Sequence, residues 1–400
     1  MEGINLIVAA PLKGVLRPNR KILLTRKFVD GMALYKDLWK GPVTLACEPA
    51  LEASDNLDNI EVDLDAAPFR TICEEFSDDR FARLLTPNSL VLASVGQSFN
   101  NLSRLCSQAG IACVYIAEYS LRTRLQIIRE NQRSRVHGWW RSCREIKQER
   151  AQVRAISLAN AVQCNGTPTY VAYKSLTPLS HLFFDTLIEE TMLTSPDRIS
   201  ARSARFNADG ALRLVFSGRL KLMKGVDHLP LVAASLRRLG IPFVLSICGD
   251  GECMPQLRHD VTELGLDDCI KFLGTLDFKA ELVPYVANET DLFVCCHRQG
   301  DPSCTYLETM ACGVPIVGYN NEAFEGLAEV SGVGWVVPLG QPAKLAERIA
   351  SIYHDPAALE AAAQRSLSFA RDHTFEKTFR RRIEHLDKVA ARLLPGSRHH

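Results

Sequence analysis

The chain reads as an α/β protein made of two doubly wound domains, each with a parallel sheet covered on both faces. Three observations lead there. Short apolar runs alternate with helical patterns along nearly the whole chain. The runs are apolar enough to be buried on both faces, as in parallel sheets. The series occurs twice in succession within 400 residues, a length that suits two domains.

In the first half the strand-like runs are Ile4–Ala10, Val43–Cys47, Leu90–Ser94, Cys113–Ala117 and Ala161–Cys164. Helical patterns fall between them at Lys27–Leu38, Asn100–Ala109 and Leu121–Ala159. In the second half the runs are Leu212–Phe216, Phe243–Cys248, Ile270–Phe272, Leu292–Cys296, Ile316–Gly318 and Gly334–Val337. The helices expected there are Gly225–Leu239, Pro255–Leu264, Lys279–Val286, Tyr306–Ala311 and Pro342–Asp355, with a last one over Phe375–Leu393. Residues 187–211 carry Ser195-Pro196-Asp197, Asn207, Asp209 and Gly210 without a strong apolar period, which places the domain boundary there. The expected division is 1–195, 196–374 and a terminal helix 375–395. Gly396 to His400 reads as a tail.

Hydrophobic content of 46%, charged content of 23% and a net charge of +1 fit a soluble globular protein and give no reason to expect nucleic acid. The 13 cysteines include no C-x-x-C pair, so free thiols in a reducing cytoplasm are expected rather than a disulfide scaffold or a zinc site. Cys295-Cys296 reads as strand core. No apolar run approaches the ~20 residues of a spanning helix, and the strand-like start is unlike a signal peptide.

The chemistry concentrates in two stretches. Gly218-Arg219-Leu220-Lys221-Leu222-Met223-Lys224-Gly225 places two cations five residues apart in a glycine-flanked loop after a strand. Arg219 offers a planar fork and Lys224 a compact charge, a pair able to grip a diphosphate. Solvated basic residues in a loop are the plainer alternative. Downstream, Tyr306 to Pro315 places one carboxylate, Glu308, early in a helix that ends in a Gly-x-Pro turn before a new strand. A carboxylate suits a pair of sugar hydroxyls, and it also complements a helix dipole. Ser303, Cys304 and Thr305 precede that helix, where backbone N–H groups attract phosphate, or where hydroxyls cap the helix. Gly249-Asp250-Gly251 follows another strand and allows a sharp turn close to a ligand. Ligands of open parallel sheets collect at such carboxyl ends.

These features together resemble the GT-B fold glycosyltransferases, in particular the retaining GT4, or glycogen-synthase-like, family. The G-R-L-x-x-x-K-G loop at 218–225, the 249–251 turn and the segment Glu308 to Pro315 carry the resemblance, which covers residues 212–355 well. It implies two Rossmann-like domains with a cleft between them, an N-terminal acceptor-binding domain and a C-terminal nucleotide-sugar domain, with the terminal helix crossing back to the first. It implies a metal-independent enzyme without cofactor that transfers a hexose from a nucleoside diphosphate sugar, UDP-sugar favoured and GDP-sugar possible. The acceptor hydroxyl would belong to a growing polysaccharide or glycolipid. Glu308 would hold the ribose, the 303–305 segment the distal phosphate, and Phe272-Leu273 the base.

The sequence departs from that family at one position. The family usually has a second glutamate eight residues before the conserved one. Here that residue is Gly300, and Asp301 stands beside it as the candidate substitute. In the first half, Pro11 to Gly14, Glu118-Tyr119 and Asn165-Gly166-Thr167 follow strands and are acceptor-side candidates. Relatives often carry histidine where Glu118 stands. The segment Arg122–Arg154 has ten Arg or Lys and three Glu with Trp139 and Trp140 interleaved. It is either a wet helix face or a surface for an anionic membrane, which would make the protein peripheral on the cytoplasmic face. Two other functions fit: a GT-B-like nucleotide-sugar epimerase, and a degenerate non-catalytic scaffold.

Overall fold

A computed structural model describes residues 3–52, 59–130 and 135–392. Among these residues the chain divides into two compact units. The first comprises 3–52, 59–121, 136–183 and 376–392, and the second 122–130, 135 and 184–375.

The first unit is built on a sheet whose strands are β1 (Asn5–Arg17), β2 (Lys21–Thr25), β3 (Val43–Pro49), β4 (Asn59–Asp63), β5 (Arg70–Cys73), β6 (Ser89–Ser94), β7 (Ala112–Ala117), β8 (Ala161–Asn165) and β9 (Ser180–Phe183). Strands β5-β3-β1-β6-β7-β8-β9 are parallel neighbours. The far end of β1 carries an antiparallel flap of β2 and β4. Pro11 to Gly14, expected as a loop, therefore lies inside β1. The strand passes an irregularity between Ala9 and Lys13 and continues into the hairpin. The strands missed from sequence, β2, β4, β5 and β9, are short and mostly half-exposed, so their apolar signal is diluted.

The second unit has a wholly parallel sheet of β10 (Leu212–Ser217), β11 (Phe243–Cys248), β12 (Ile270–Gly274), β13 (Leu292–Cys295), β14 (Ile316–Tyr319) and β15 (Trp335–Val337). All six were anticipated. Their order is β12-β11-β10-β13-β14-β15, so the winding reverses between β10 and β13. Their carboxyl ends at that reversal are the default ligand crevice of such a sheet.

The helical expectations hold in kind and shift at their ends. The helix after the 218–225 loop starts only at Leu229, because Gly225 adopts φ +64 and short 3-10 turns intervene. Residues 196–209 form a helix that its polar composition hid. Ser195 caps it by accepting from Arg198 N, Pro196 begins it and Gly210 ends it in the left-handed region. Its buried face is only Ile199, Arg202 and Phe206. The long helix expected over 121–159 is two, Leu121–Glu130 and Arg135–Ser157, and residues 131–134 of it lie outside the described residues. The 396–400 tail also lies outside them.

The terminal helix Phe375–Ala391 belongs, from Glu376 on, to the first unit. Gln163 on β8 holds it from both ends of its amide. Arg382 Nε donates to Gln163 Oε1 at 2.9 Å, and Gln163 Nε2 donates to the Arg382 carbonyl at 2.9 Å. His385 stacks on His181 of β9 with centroids 5.4 Å apart. Burial, then the mutual charge and those of Arg381, Arg382 and Lys388, push His181 down to about 3. Burial and Lys388 push His385 down to about 4. Both rings are neutral when folded and bind protons near pH ~6.5 when unfolded. Their contribution is complete above that value and is lost as the pH falls towards 4. The melting temperature of wild type should therefore drop between pH ~6.5 and ~4 more steeply than that of the His181→Asn, His385→Asn double variant. Equal slopes in thermal melts would show that the stacked pair carries no such linkage.

Candidate functional site

The carboxyl ends of β10, β11 and β13 meet in one interlocked set of loops. Gly218 N donates to the Cys248 carbonyl at 3.0 Å, and Leu220 N to the Asp250 carbonyl at 2.9 Å. Cys253 N returns a bond to the Leu220 carbonyl at 3.0 Å. The 218–225 loop and the 249–251 turn thus read as one structure. Glycine is required where they cross. Gly249 has φ +132, and a Cβ there would lie 2.1 Å from the Gly218 carbonyl oxygen. Gly225 has φ +64, and a Cβ there would lie 2.0 Å from the Cys296 carbonyl oxygen, just past β13. On the other flank Gly249 N donates to the Gly274 carbonyl at 2.6 Å, which brings the end of β12, with Phe272 and Leu273, beside the same turn. The Arg258 guanidinium covers the Phe272 ring at 4.4 Å.

The two cations of the 218–225 loop have different surroundings. Arg219 is exposed. Lys224 is buried, and its Nζ donates to Asp301 Oδ2 at 3.0 Å. The side chains of that pair are 10% and 17% exposed, so most of the pair is out of water. Asp301 Oδ1 is buried and has no hydrogen-bond partner among the described residues. The candidate substitute acid is therefore at the site, with one oxygen on the clamp lysine and one acceptor unused. A buried acceptor without a donor costs free energy, on the order of 1–3 kcal/mol. A ligand hydroxyl would remove that cost.

Glu308 sits on the helix Cys304–Ala311 between β13 and β14. It lines a shallow pocket with Ser217, the last residue of β10, and with Phe278, Leu282, Val286 and Cys312. Ser303 is the N-cap position, yet its side chain makes no cap hydrogen bond. Simple capping thus does not explain Ser303. Cys304 Sγ lies 3.9 Å from Asp185 Oδ2, and Thr305 is half-buried. Cys295 and Cys296 are core thiols, as expected; burial pushes Cys295 up to about 11 and Cys296 well above its ordinary value.

Several residues that hold the site had no signal in the sequence. Arg298 N donates to the Met223 carbonyl at 3.0 Å, and its guanidinium bridges the Leu222 carbonyl and the Asp227 carboxylate, locking the 218–225 loop to the end of β13. Asn321 donates to the His297 carbonyl at 3.0 Å and caps the following helix through Phe324 N. Arg202 is buried in the helix 196–209 and donates to the carbonyls of Ala287, Cys312 and Gly313. It satisfies the trailing carbonyls of the Glu308 helix, which have no intrahelical partner, with a cation at the negative helix end. Burial lowers its pKa to about 10, which leaves it charged at neutral pH.

In the first unit, the two strand-end candidates converge. Asn165 Nδ2, at the end of β8, donates to Glu118 Oε2, after β7, at 2.8 Å. Gly166 follows with φ +76, and Tyr119 is exposed.

Comparisons with known proteins give the family and the fold. Residues 197–368 match the family described as Glycosyl transferases group 1 and form a domain of that kind. Among curated proteins, the chain is 27% identical over 152 residues to an α-D-kanosaminyltransferase of Streptomyces kanamyceticus, covering 38% of this chain and 39% of that protein. It is 31% identical over 146 residues to a D-inositol 3-phosphate glycosyltransferase of Stackebrandtia nassauensis, covering 32% of this chain and 31% of that protein. These matches thus span well under half of the relatives' length. Among solved structures, Anabaena HepE in complex with UDP superposes with a TM-score of 0.67 at 17% identity, covering 97% of this chain and 100% of that one. The lipopolysaccharide outer core galactosyltransferase WaaB in its apo form gives 0.63 at 12% identity, covering 98% and 100%. The fold is GT-B.

The Gly225 geometry is directly testable. Gly225→Ala should destabilise the protein by about 1–3 kcal/mol, the range for a left-handed non-glycine residue, before the clash with Cys296 is added. A chemical-denaturation midpoint equal to wild type would mean that the 218–225 loop is free to move away from β13.

Proposed function

We propose that the chain is a retaining glycosyltransferase that moves a hexose from a nucleoside diphosphate sugar, UDP-sugar favoured, to an acceptor hydroxyl in polysaccharide or glycolipid synthesis. The observation that carries this reading is the pair Lys224–Asp301 at the β10/β13 reversal, inside the group 1 glycosyl transferase domain. The names of the relatives support the class of reaction. One is an amylovoran biosynthesis glycosyltransferase and another an α-monoglucosyldiacylglycerol synthase. HepE structures with UDP and with UDP-glucose support a uridine donor.

In this reading the diphosphate binds against Arg219 and Lys224, with its distal phosphate at the 303–305 backbone. Glu308 takes the ribose hydroxyls, and the base lies near Phe272 and Leu273 at the end of β12. Asp301 Oδ1 accepts from a hydroxyl of the donor sugar. As the bond from the sugar C1 to the phosphate oxygen breaks, negative charge builds on that oxygen, where fixed cations lower the barrier. The acceptor oxygen bonds to C1 on the same face and its proton passes to the departing phosphate. Arg219 is the cleaner probe of the clamp, since removing Lys224 would strand a partly buried carboxylate. Arg219→Ala should lower kcat/KM by ~10²-fold or more, and Glu308→Gln should weaken UDP binding by roughly 1–3 kcal/mol. Near-native turnover together with an unchanged calorimetric Kd would remove the donor site from this crevice. Turnover of a nucleotide sugar without acceptor would favour the epimerase.

The helix Arg135–Ser157 supports a peripheral membrane role. Val136, Trp139 and Trp140 are 66%, 61% and 65% exposed, beside exposed Arg141, Arg144, Lys147 and Arg150. Exposed tryptophans with flanking cations suit the headgroup region of an anionic bilayer. No helix among the described residues is long and apolar enough to cross a membrane. Each basic residue near an anionic surface contributes about 1 kcal/mol. Co-sedimentation with phosphatidylserine vesicles should fall with salt and be abolished by Arg141→Glu, Lys147→Glu and Arg150→Glu together. Indifference of the wild type to such vesicles at low salt would leave this helix a solvated face.

A further inference from the structure

The short helix Leu121–Glu130 lies within the stretch of chain that builds the first unit, yet residues 122–130 belong to the second by their contacts. Its partner there is the loop that carries the candidate acid. Thr123, fully buried, donates from Oγ1 to the Gly300 carbonyl at 3.0 Å. Gly300 N donates to Gln126 Oε1 at 3.1 Å. Both hydrogen-bonding groups of one peptide residue are thus taken by one helix turn. Arg122 adds an ion pair to Glu322 at 3.2 Å, on the other wall of the same loop. The clasp leaves little room at position 300. A Cβ there would lie 3.1 Å from the Glu322 Cβ and 3.3 Å from Thr123 Oγ1. The next residue, Asp301, is the one whose carboxylate reaches Lys224.

We propose that Thr123 and Gln126 are positioning residues of the donor-sugar site. By clasping the Gly300 peptide they fix the 299–302 loop in the one arrangement that presents the carboxylate of residue 301, and not of residue 300, beside Lys224. The glycine is then a consequence of the clasp rather than a loss of the acid. The inference rests on the donor-site reading above. It adds that a segment outside the family domain sets which residue supplies the acid. A small displacement of a positioning group is enough to cost ~10²-fold in a reaction rate.

The test uses the full chain as wild type, the Thr123→Val, Gln126→Leu double variant, Thr123→Ser and Gly300→Glu. Hydrogen exchange of peptides spanning 297–303 reads the clasp without any activity. Calorimetry with UDP, and with the tightest binding of UDP-glucose, UDP-galactose and UDP-N-acetylglucosamine, reads the site. In the double variant, exchange at 297–303 should speed up by about tenfold or more, with UDP affinity kept within about threefold while the UDP-sugar loses its advantage over UDP. Thr123→Ser, which keeps the hydroxyl, should behave as wild type. Gly300→Glu should expose both 121–130 and 297–303 to exchange and weaken UDP-sugar binding. Wild-type exchange and sugar preference in the double variant would overturn the inference alone, as would tighter UDP-sugar binding by Gly300→Glu. A wild type blind to UDP and to all three UDP-sugars would overturn the donor-site reading, and this inference with it.

Discussion

Everything at the crevice depends on how closely three strand ends approach one another. Parallel strands run side by side with their carboxyl ends level, so the loops leaving β10, β11 and β13 compete for one volume. They share it by crossing backbone to backbone, with Gly249 against the Gly218 carbonyl, Gly251 against the Leu220 carbonyl and Gly225 against the Cys296 carbonyl. A side chain at any of these positions would push a loop outward. The crossings also satisfy the loops' own polar groups, which would otherwise be buried unpaired at the end of the sheet. The result is a set of backbone crossings at the strand ends.

At these crossings the electrostatics are arranged as an exchange. Lys224 is mostly buried and would be costly to hold there without an anion; Asp301 supplies one. In the donor-site reading proposed above, a diphosphate would bring negative charge to the same lysine. The carboxylate would then keep its hydrogen bond and gain, at Oδ1, a sugar donor that the described residues do not provide. Arg219 is exposed. The two cations thus differ, with Lys224 buried and Arg219 in solvent, four residues lying between them.

Most of the second unit was legible in the sequence. A strand buried on both faces must be apolar at every position, and the six runs there are short, bounded and separated by helical periods. The loop motifs were legible because glycine at a crossing has no substitute. Other parts were not legible, each for its own reason. The helix 196–209 hides because its central buried residue is Arg202, whose apolar stem and carbonyl partners replace a hydrophobic face. The flap strand β4 hides because none of its positions is buried, and β2 because it is only five residues long. The pocket beside Glu308 escaped because Phe278 and Leu282 come from a turn after β12, far from Glu308 in sequence. The expected base site, Phe272-Leu273, ends β12 beside the 249–251 turn, and the Arg258 guanidinium covers the Phe272 ring.

The boundary between the units shows how far a sequence segment and a structural unit can differ. The unbroken polar and basic pattern from 121 to 159 favours one long helix, and helical periodicity alone cannot say which part of a helix packs where. The buried residues decide. Thr123 and Ile128 are buried within residues 122–130 of the second unit, and Gln152, Ala155 and Ile156 within the first. A fragment starting at residue 184 would contain the whole family domain, with Arg219, Lys224, Asp301 and Glu308 all present. It would lack Thr123 and Gln126, and the Gly300 peptide would be left with an unpaired N–H and carbonyl next to the acid it positions. The second unit is therefore complete as a site only when the chain that precedes the family domain is there to supply one helix turn.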